Sequence, residues 1–392
     1  MENQERTAIL VIHGIGEQNP FETLDQFVRG LWNAANDYFK LKGDNVYSIT
    51  HAQVSRQTVE TSESWVENYI KLDAGDNFPS INIYEYYWAH QMTEQATIRD
   101  IREWLKATSA YASKYYRRND AIQERFEEPQ IRRMFDSAGY VSKRAYLKSL
   151  KWYVRTILVL LDLFEQSSIR NLPVLKWILD SSYKKVKKVL VNYVGDVVVY
   201  TTTDRKAEHY EVKRRIIQEA RKQIESILQN SHYTKVLVAG HSLGSVIAYD
   251  TLNRLHTTPG GGDGYEKLRG LVTFGSPLDK IAFFFRQQTR KESYVRRQIL
   301  DHLHSFKAKD LTLEENPVEI VDGVSHNLKN VYWINFYDPK DPIGDHLDFY
   351  KVNENVRLNM GKPWGVAHLA YWEHNPMYRK ILETFYRRGS VV

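Results

Sequence analysis

The chain contains no cysteine. That excludes disulfides, thiolate zinc sites and a cysteine nucleophile, and it fits a reducing compartment. Long apolar runs are missing too. The most apolar stretch, Thr156 to Leu161, is stopped by Asp162, far short of the roughly 18 apolar residues a bilayer crossing needs. The opening MENQERTAILVIHG is polar and enters a strand pattern at once. No charged and apolar leader precedes that pattern, so no secretory signal is expected. Internal repeats and low-complexity tracts are absent. These absences lead to the expectation of a soluble, cytoplasmic protein, at most peripheral on a membrane.

What is present is ordinary in amount and uneven in place. The 392 residues are 42% apolar and 26% charged, enough for one large core, read here as a single domain over 1–392. Net charge is +6. Between Ile131 and Leu190 there are 13 Lys/Arg against four acids, so this segment carries +9 and the rest of the chain −3. The basic character belongs to one segment.

Hydrophobic patterning predicts an α/β class. Continuous apolar or β-rich runs at 7–12, 80–88, 235–239, 271–274 and 331–336 read as strands. Helical spacing predicts helices over 204–230, with Asp204 as N-cap, and over 243–255. Alternation of the two argues for a mostly parallel sheet with helices on both sides. Residues 91–193 break the rhythm with helical patterns at 94–117, 139–166 and 173–192. They read as a large helical insertion, a cap or lid over one end of the sheet. The run from Pro259 to Gly264 is a surface loop and lacks the Lys-Ser/Thr of a phosphate cradle.

One motif carries chemistry. Strand KVLVA is followed by Gly240-His241-Ser242-Leu243-Gly244 and then by a helix. This is the strand–turn–helix context of a nucleophile elbow. Gly240 and Gly244 are small because strand and helix backbones nearly touch there, and the turn holds the Ser242 hydroxyl at a helix N-terminus. A hydroxyl N-cap in a plain turn is the bland alternative. A lone serine is inert at neutral pH and needs a base, an orienting acid and oxyanion donors. After the first strand, His13-Gly14-Ile15-Gly16 forms a loop suited to donors. The backbone N–H groups of Ile15 and Leu243 are the expected oxyanion hole, with Gly14 and Gly16 allowing close approach. A dinucleotide fingerprint is excluded because its third glycine falls on Asn19.

The acid is expected after a late strand, in Tyr337-Asp338-Pro339-Lys340-Asp341-Pro342. Asp341 is the first choice, Asp338 the close alternative and Asp279 a distant one. The base is expected near the C-terminus, with His368 first, His374 second and His346 third. Ser242, Asp341 and His368 then follow the chain order Ser…Asp…His. The Asp338–Asp348 cluster does not match an EF-hand loop, and His302-x-His304 lacks a third ligand. No metal and no cofactor are expected.

The HGIG loop at 13–16, GHSLG at 240–244, FGSP at 274–277, the run Asn335–Pro342 and AHLAYW at 367–372 together resemble the α/β-hydrolase superfamily. Specifically, they resemble its lipase-like serine esterases, in the bacterial lipase-like and inositol-deacylase-like group. The resemblance covers roughly 5–90 and 195–386. It implies the α/β-hydrolase fold and a serine hydrolase that cleaves carboxylic esters, of the lipase or phospholipase kind. The basic insert over 131–190, with Trp152, Tyr153, Trp177 and Tyr183 among its cations, is read as a lid for an anionic membrane surface. A solvated charged cap is the plainer reading. Two other functions stay open. One is a soluble small-ester or thioester hydrolase. The other is a non-catalytic scaffold whose insert binds a partner or nucleic acid. Zinc ligand pairs and ribonucleoprotein aromatics are both missing, so no nucleic-acid partner is expected.

Overall fold

The first strand, β1 (Arg6–Ile12), is apolar on both faces. Successive side chains of a strand point to opposite sides, so Ala8, Leu10 and Ile12 enter one core layer while Ile9 and Val11 enter the other. A strand of this kind belongs in the middle of a covered sheet. The computed structural model, which describes residues 5–14, 19–41, 43, 46–57, 64–91, 208–279, 295, 306–307, 327–341, 343–347, 350–362 and 366–386, places it there. The insertion expected over 91–193 lies, beyond Gln91, outside the described residues. The basic segment 131–190 and the pair His302 and His304 lie outside them too.

The remaining elements are α1 (Glu22–Tyr38), β2 (Ser48–Gln57), β3 (Ser64–Asp73), β4 (Ser80–Tyr86), α2 (Glu208–Gln229), β5 (Lys235–His241), α3 (Leu243–His256), β6 (Leu268–Phe274), β7 (Tyr332–Tyr337), β8 (Glu354–Arg357) and α4 (Asn375–Phe385). Eight strands form one sheet in the order β2-β3-β4-β1-β5-β6-β7-β8. From β4 to β8 every pairing is parallel, and β2 and β3 add an antiparallel hairpin at one edge. The expected mostly parallel sheet flanked by helices is therefore the architecture observed.

Helices cover both faces. Val212, Ile216, Ala220 and Ile224 of α2 share a buried cluster with Val246, Ile247 and Leu252 of α3 and with Val236 and Val238 of β5. On the opposite face, Phe27, Val28 and Leu31 of α1 and Met377, Tyr378 and Ile381 of α4 meet Leu237 and Ala239. Each such aliphatic or aromatic side chain contributes about 1.5–3 kcal/mol on burial. The alternation along β5 explains why an unbroken apolar run is needed there.

Two features fix the geometry at the carboxyl ends of the central strands. Helix α1 begins without a capping side chain of its own, with Phe21 in the left-handed region at φ 68. The Phe21 N–H instead donates to Glu85 Oε2 at 2.6 Å. Glu85 also takes bonds from the N–H groups of Thr23 and Leu24, while burial pushes its pKa up. A strand carboxylate thus satisfies the open donors of a helix N-terminus. It fixes the start of α1 to the end of β4. The second feature is topological. From β1 the chain builds β2, β3 and β4 on one side and then returns to build β5 to β8 on the other. The carboxyl ends of β1 and β5 therefore flank a switch point, where a parallel sheet opens a crevice for ligands.

Candidate active site

Strand β5 ends in Gly240-His241 and α3 starts at Leu243, so Ser242 alone makes the corner. Its backbone sits at φ 54, ψ −127. Such a conformation in a non-glycine residue costs on the order of 1–3 kcal/mol. Contacts around the corner hold it. The Ser242 N–H donates to the Phe274 carbonyl at 3.1 Å, and its carbonyl accepts from the Ser245 N–H at 3.0 Å. The Ser245 hydroxyl donates to the same carbonyl at 2.5 Å and is also bonded to the Ser276 hydroxyl at 2.7 Å. The two motif glycines are sterically required. A Cβ on Gly240 would stand 2.6 Å from Ser245 Cα. One on Gly244 would collide with the carbonyl oxygens of Ile12 and His13.

Asp341 follows β7 and His368 lies in a short 3-10 turn after β8, while Ser242 follows β5, so all three come after the carboxyl ends of parallel strands. His368 Nε2 is 3.0 Å from Ser242 Oγ. His368 Nδ1 is 3.0 Å from Asp341 Oδ1 and 2.9 Å from Oδ2. Exposures are 1% for Ser242, 2% for His368 and 4% for Asp341. Burial alone would raise the Asp341 pKa. The adjacent His368 and the N–H groups of Gly344 and Ile343 outweigh it and hold the carboxyl below the usual carboxylate range. An ionised Asp341 only accepts, so the His368 proton sits on Nδ1 and leaves Nε2 free to accept from the serine hydroxyl.

Further groups, which lie inside the HGIG, GHSLG and AHLAYW stretches but carry no role in the reading of those motifs, hold these three. His241 is wholly buried and its Nε2–H donates to the His368 carbonyl at 3.0 Å. Its ring lies 4.8 Å from the His368 ring. Burial, with His368 alongside, lowers its pKa to about 3. Tyr371 donates its hydroxyl to Asp341 Oδ2 at 2.9 Å. His13 supports the loop after β1. The Trp88 N–H donates to its Nε2 at 3.0 Å, its Nδ1–H donates to the Gly14 carbonyl at 2.6 Å, and the Trp88 indole stacks on it at 4.9 Å. Burial lowers the His13 pKa to about 4, so the ring is neutral. For these groups the sequence signal is only adjacency. His241 is the residue before the serine, His13 opens the HGIG loop and Tyr371 lies three residues beyond His368.

The other candidates stand elsewhere. Asp338 is buried, but its carboxylate accepts from the Lys340 N–H at 2.8 Å and the Met360 N–H at 2.7 Å. It ties down the turn that carries Asp341. Asp279 follows β6 and is buried. His374 precedes α4 as its cap residue, and His346 packs edge-on against Tyr337 at 5.6 Å. On the donor side, Leu243 is the first residue of α3, and the first N–H groups of a helix have no partner within it. A Cβ on Gly14 would lie 2.7 Å from Ser242 Cβ, so the loop after β1 touches the corner. Ile15 and Gly16 lie outside the described residues. Among the described residues no group of three or more His, Asp or Glu side chains is placed to hold a metal ion.

No family model, curated protein or solved structure matches the chain. A hydroxyl on a strained corner, an imidazole oriented by a buried carboxylate and a helix N-terminus beside them can remove the hydroxyl proton as the oxygen attacks and can stabilise the negative charge that develops on the group attacked. No helix among the described residues is long and apolar enough to cross a membrane.

Proposed function

We propose that the protein is a serine hydrolase of the α/β-hydrolase fold, acting on carboxylic esters. The observation that carries this reading is the continuous chain Ser242 Oγ, His368 Nε2, His368 Nδ1, Asp341, each link within 3.0 Å. Ser242 attacks the ester carbonyl as His368 takes its proton. The oxyanion rests on the N–H of Leu243, at the positive end of α3, and on that of Ile15. His368 returns its proton to the departing alcohol, leaving an acyl group on Ser242. Water, deprotonated by His368, then releases the acid and restores the serine.

The substrate class proposed is a lipid ester, with lipase or phospholipase activity at an anionic membrane surface. It rests on the resemblance and on the +9 segment over 131–190. The apolar Leu369, next to His368 and 45% exposed, suits an acyl chain. The test is turnover of p-nitrophenyl esters of rising chain length, with sedimentation on phosphatidylserine vesicles. Turnover should vanish in Ser242→Ala and favour long acyl chains. Reversing Lys184, Lys185, Lys187 and Lys188 to Glu should weaken vesicle binding and spare a soluble ester. Turnover indifferent to Ser242 would end the hydrolase reading, and unchanged vesicle binding the membrane one.

A further inference from the structure

We infer that Tyr371 is a positioning residue for the acid Asp341, and that through it the acid and base turns act as one rigid unit. The inference rests on the serine-hydrolase reading above. Tyr371 is fully buried. Its hydroxyl accepts from the Asp338 N–H at 3.1 Å and donates to Asp341 Oδ2 at 2.9 Å. Asp338 begins the turn after β7, and the Asp341 N–H closes that turn on the Asp338 carbonyl at 2.8 Å. One phenol oxygen therefore bridges both ends of the acid turn.

The other end of the link is covalent. Tyr371 begins a 3-10 turn that directly follows the turn containing His368, with Leu369 and Ala370 between the two residues. The Leu369 and Ala370 N–H groups bond back to Val366 and Ala367 at 3.1 Å each, so the short segment is stiff. Moving Asp341 relative to His368 would have to stretch either the phenol bond or this segment. The direct bond from His368 Nδ1 shares Oδ2 with the phenol.

The roles of donor and acceptor are settled by chemistry. The Asp338 N–H can only donate, so the phenol oxygen accepts from it and its own proton goes to the carboxylate. Burial and the Asp341 charge raise the phenol pKa, which keeps that proton in place. Asp341 thus receives Tyr371, Ile343, Gly344 and His368 as donors. Two of its neighbours leave little space for any other arrangement. A Cβ on Gly275 would stand 3.0 Å from the Tyr371 ring, and one on Gly344 would stand 2.6 Å from Asp341 Oδ2. A carboxylate so enclosed keeps its aim at His368 only while each donor is in place.

The test is a double-variant cycle on the full chain with Tyr371→Phe, Asp341→Asn and both together. It reads kcat and KM on p-nitrophenyl butyrate, referred to folded protein by near-ultraviolet circular dichroism. Low-field proton NMR of the His368 Nδ1–H is recorded on wild type and Tyr371→Phe. Tyr371→Phe should lower kcat about tenfold, the loss of one hydrogen bond to a charged group, with KM unchanged. The double variant should be no slower than Asp341→Asn, and the low-field resonance should shift in Tyr371→Phe. Wild-type kcat in Tyr371→Phe, or losses that multiply in the double variant, would overturn the inference. If wild type shows no Ser242-dependent turnover, the hydrolase reading fails instead. The NMR signal then decides alone: an unmoved resonance in folded Tyr371→Phe overturns the positioning role.

Discussion

The Nε2–H of His241 donates to the backbone carbonyl of His368 across 3.0 Å. The residue before the corner serine thus holds the backbone of the residue that faces it. His241→Phe keeps an aromatic ring and removes the donor, leaving a buried carbonyl unpartnered. Stability should fall by about 1–3 kcal/mol, read from urea unfolding. Ester turnover should fall about tenfold as His368 loses its anchor.

Two buried neutral histidines make the fold acid-sensitive. His13 and His241 have pKa values lowered from 6.5 to about 4 and about 3. Below pH 6.5 the unfolded chain takes up protons that the folded one refuses, so stability falls as pH falls toward 4. Between pH 7 and pH 5 the two together should cost roughly 4 kcal/mol. The carboxyl of Asp341, held low, adds a further loss only below its ordinary range. Melting temperature against pH checks this. His13→Gln and His241→Gln should each flatten the slope.

The close packing of corner and first strand sets a steric prediction. Gly244→Ala drives a methyl group into the carbonyl oxygens of Ile12 and His13. Backbone on both sides cannot yield, so stability should drop by roughly 3 kcal/mol. Differential scanning calorimetry of Gly244→Ala beside Ser245→Ala checks it.

The two aspartates of the acid turn should separate cleanly. Asp341→Asn can no longer hold the His368 proton on Nδ1, and kcat should fall by roughly three to four orders of magnitude. Asp338→Asn loses one of two backbone N–H bonds. It should cost about 1–2 kcal/mol of stability and change kcat by less than about threefold. Kinetics and unfolding on the same two proteins decide which aspartate orients the histidine.

Parts of the architecture are legible in the sequence because their physics is local. The strand runs at 7–12, 235–239, 271–274 and 331–336 are apolar on both faces, as central parallel strands must be. The observed elements differ from them by a few terminal residues. The run at 80–88 stops at Tyr86, where Trp88 turns toward His13. Helix α2 is described from Glu208, and the expected cap Asp204 lies outside the described residues. The hairpin β2–β3 escapes a reading by pattern, because β2 is an edge strand with several exposed side chains and a pairing made by backbone. The four residues of β8, Glu-Asn-Val-Arg, offer no apolar alternation at all. At the site, glycine spacing marks Ser242, while chain order only ranks Asp341 and His368 ahead of Asp338, His374 and His346; the structure joins Ser242, His368 and Asp341. The supports His13, His241 and Tyr371 depend on tertiary burial, which adjacency in sequence does not reveal.

If His368 and Asp341 activate Ser242, its hydroxyl reacts as a nucleophile where other serines do not. Intact-mass analysis after reaction with a fluorophosphonate measures this directly. One phosphonyl adduct per wild-type chain is expected, mapped to Ser242, absent in Ser242→Ala and strongly slowed in His368→Ala. An adduct that persists in Ser242→Ala, or no adduct on folded wild-type protein, would contradict it.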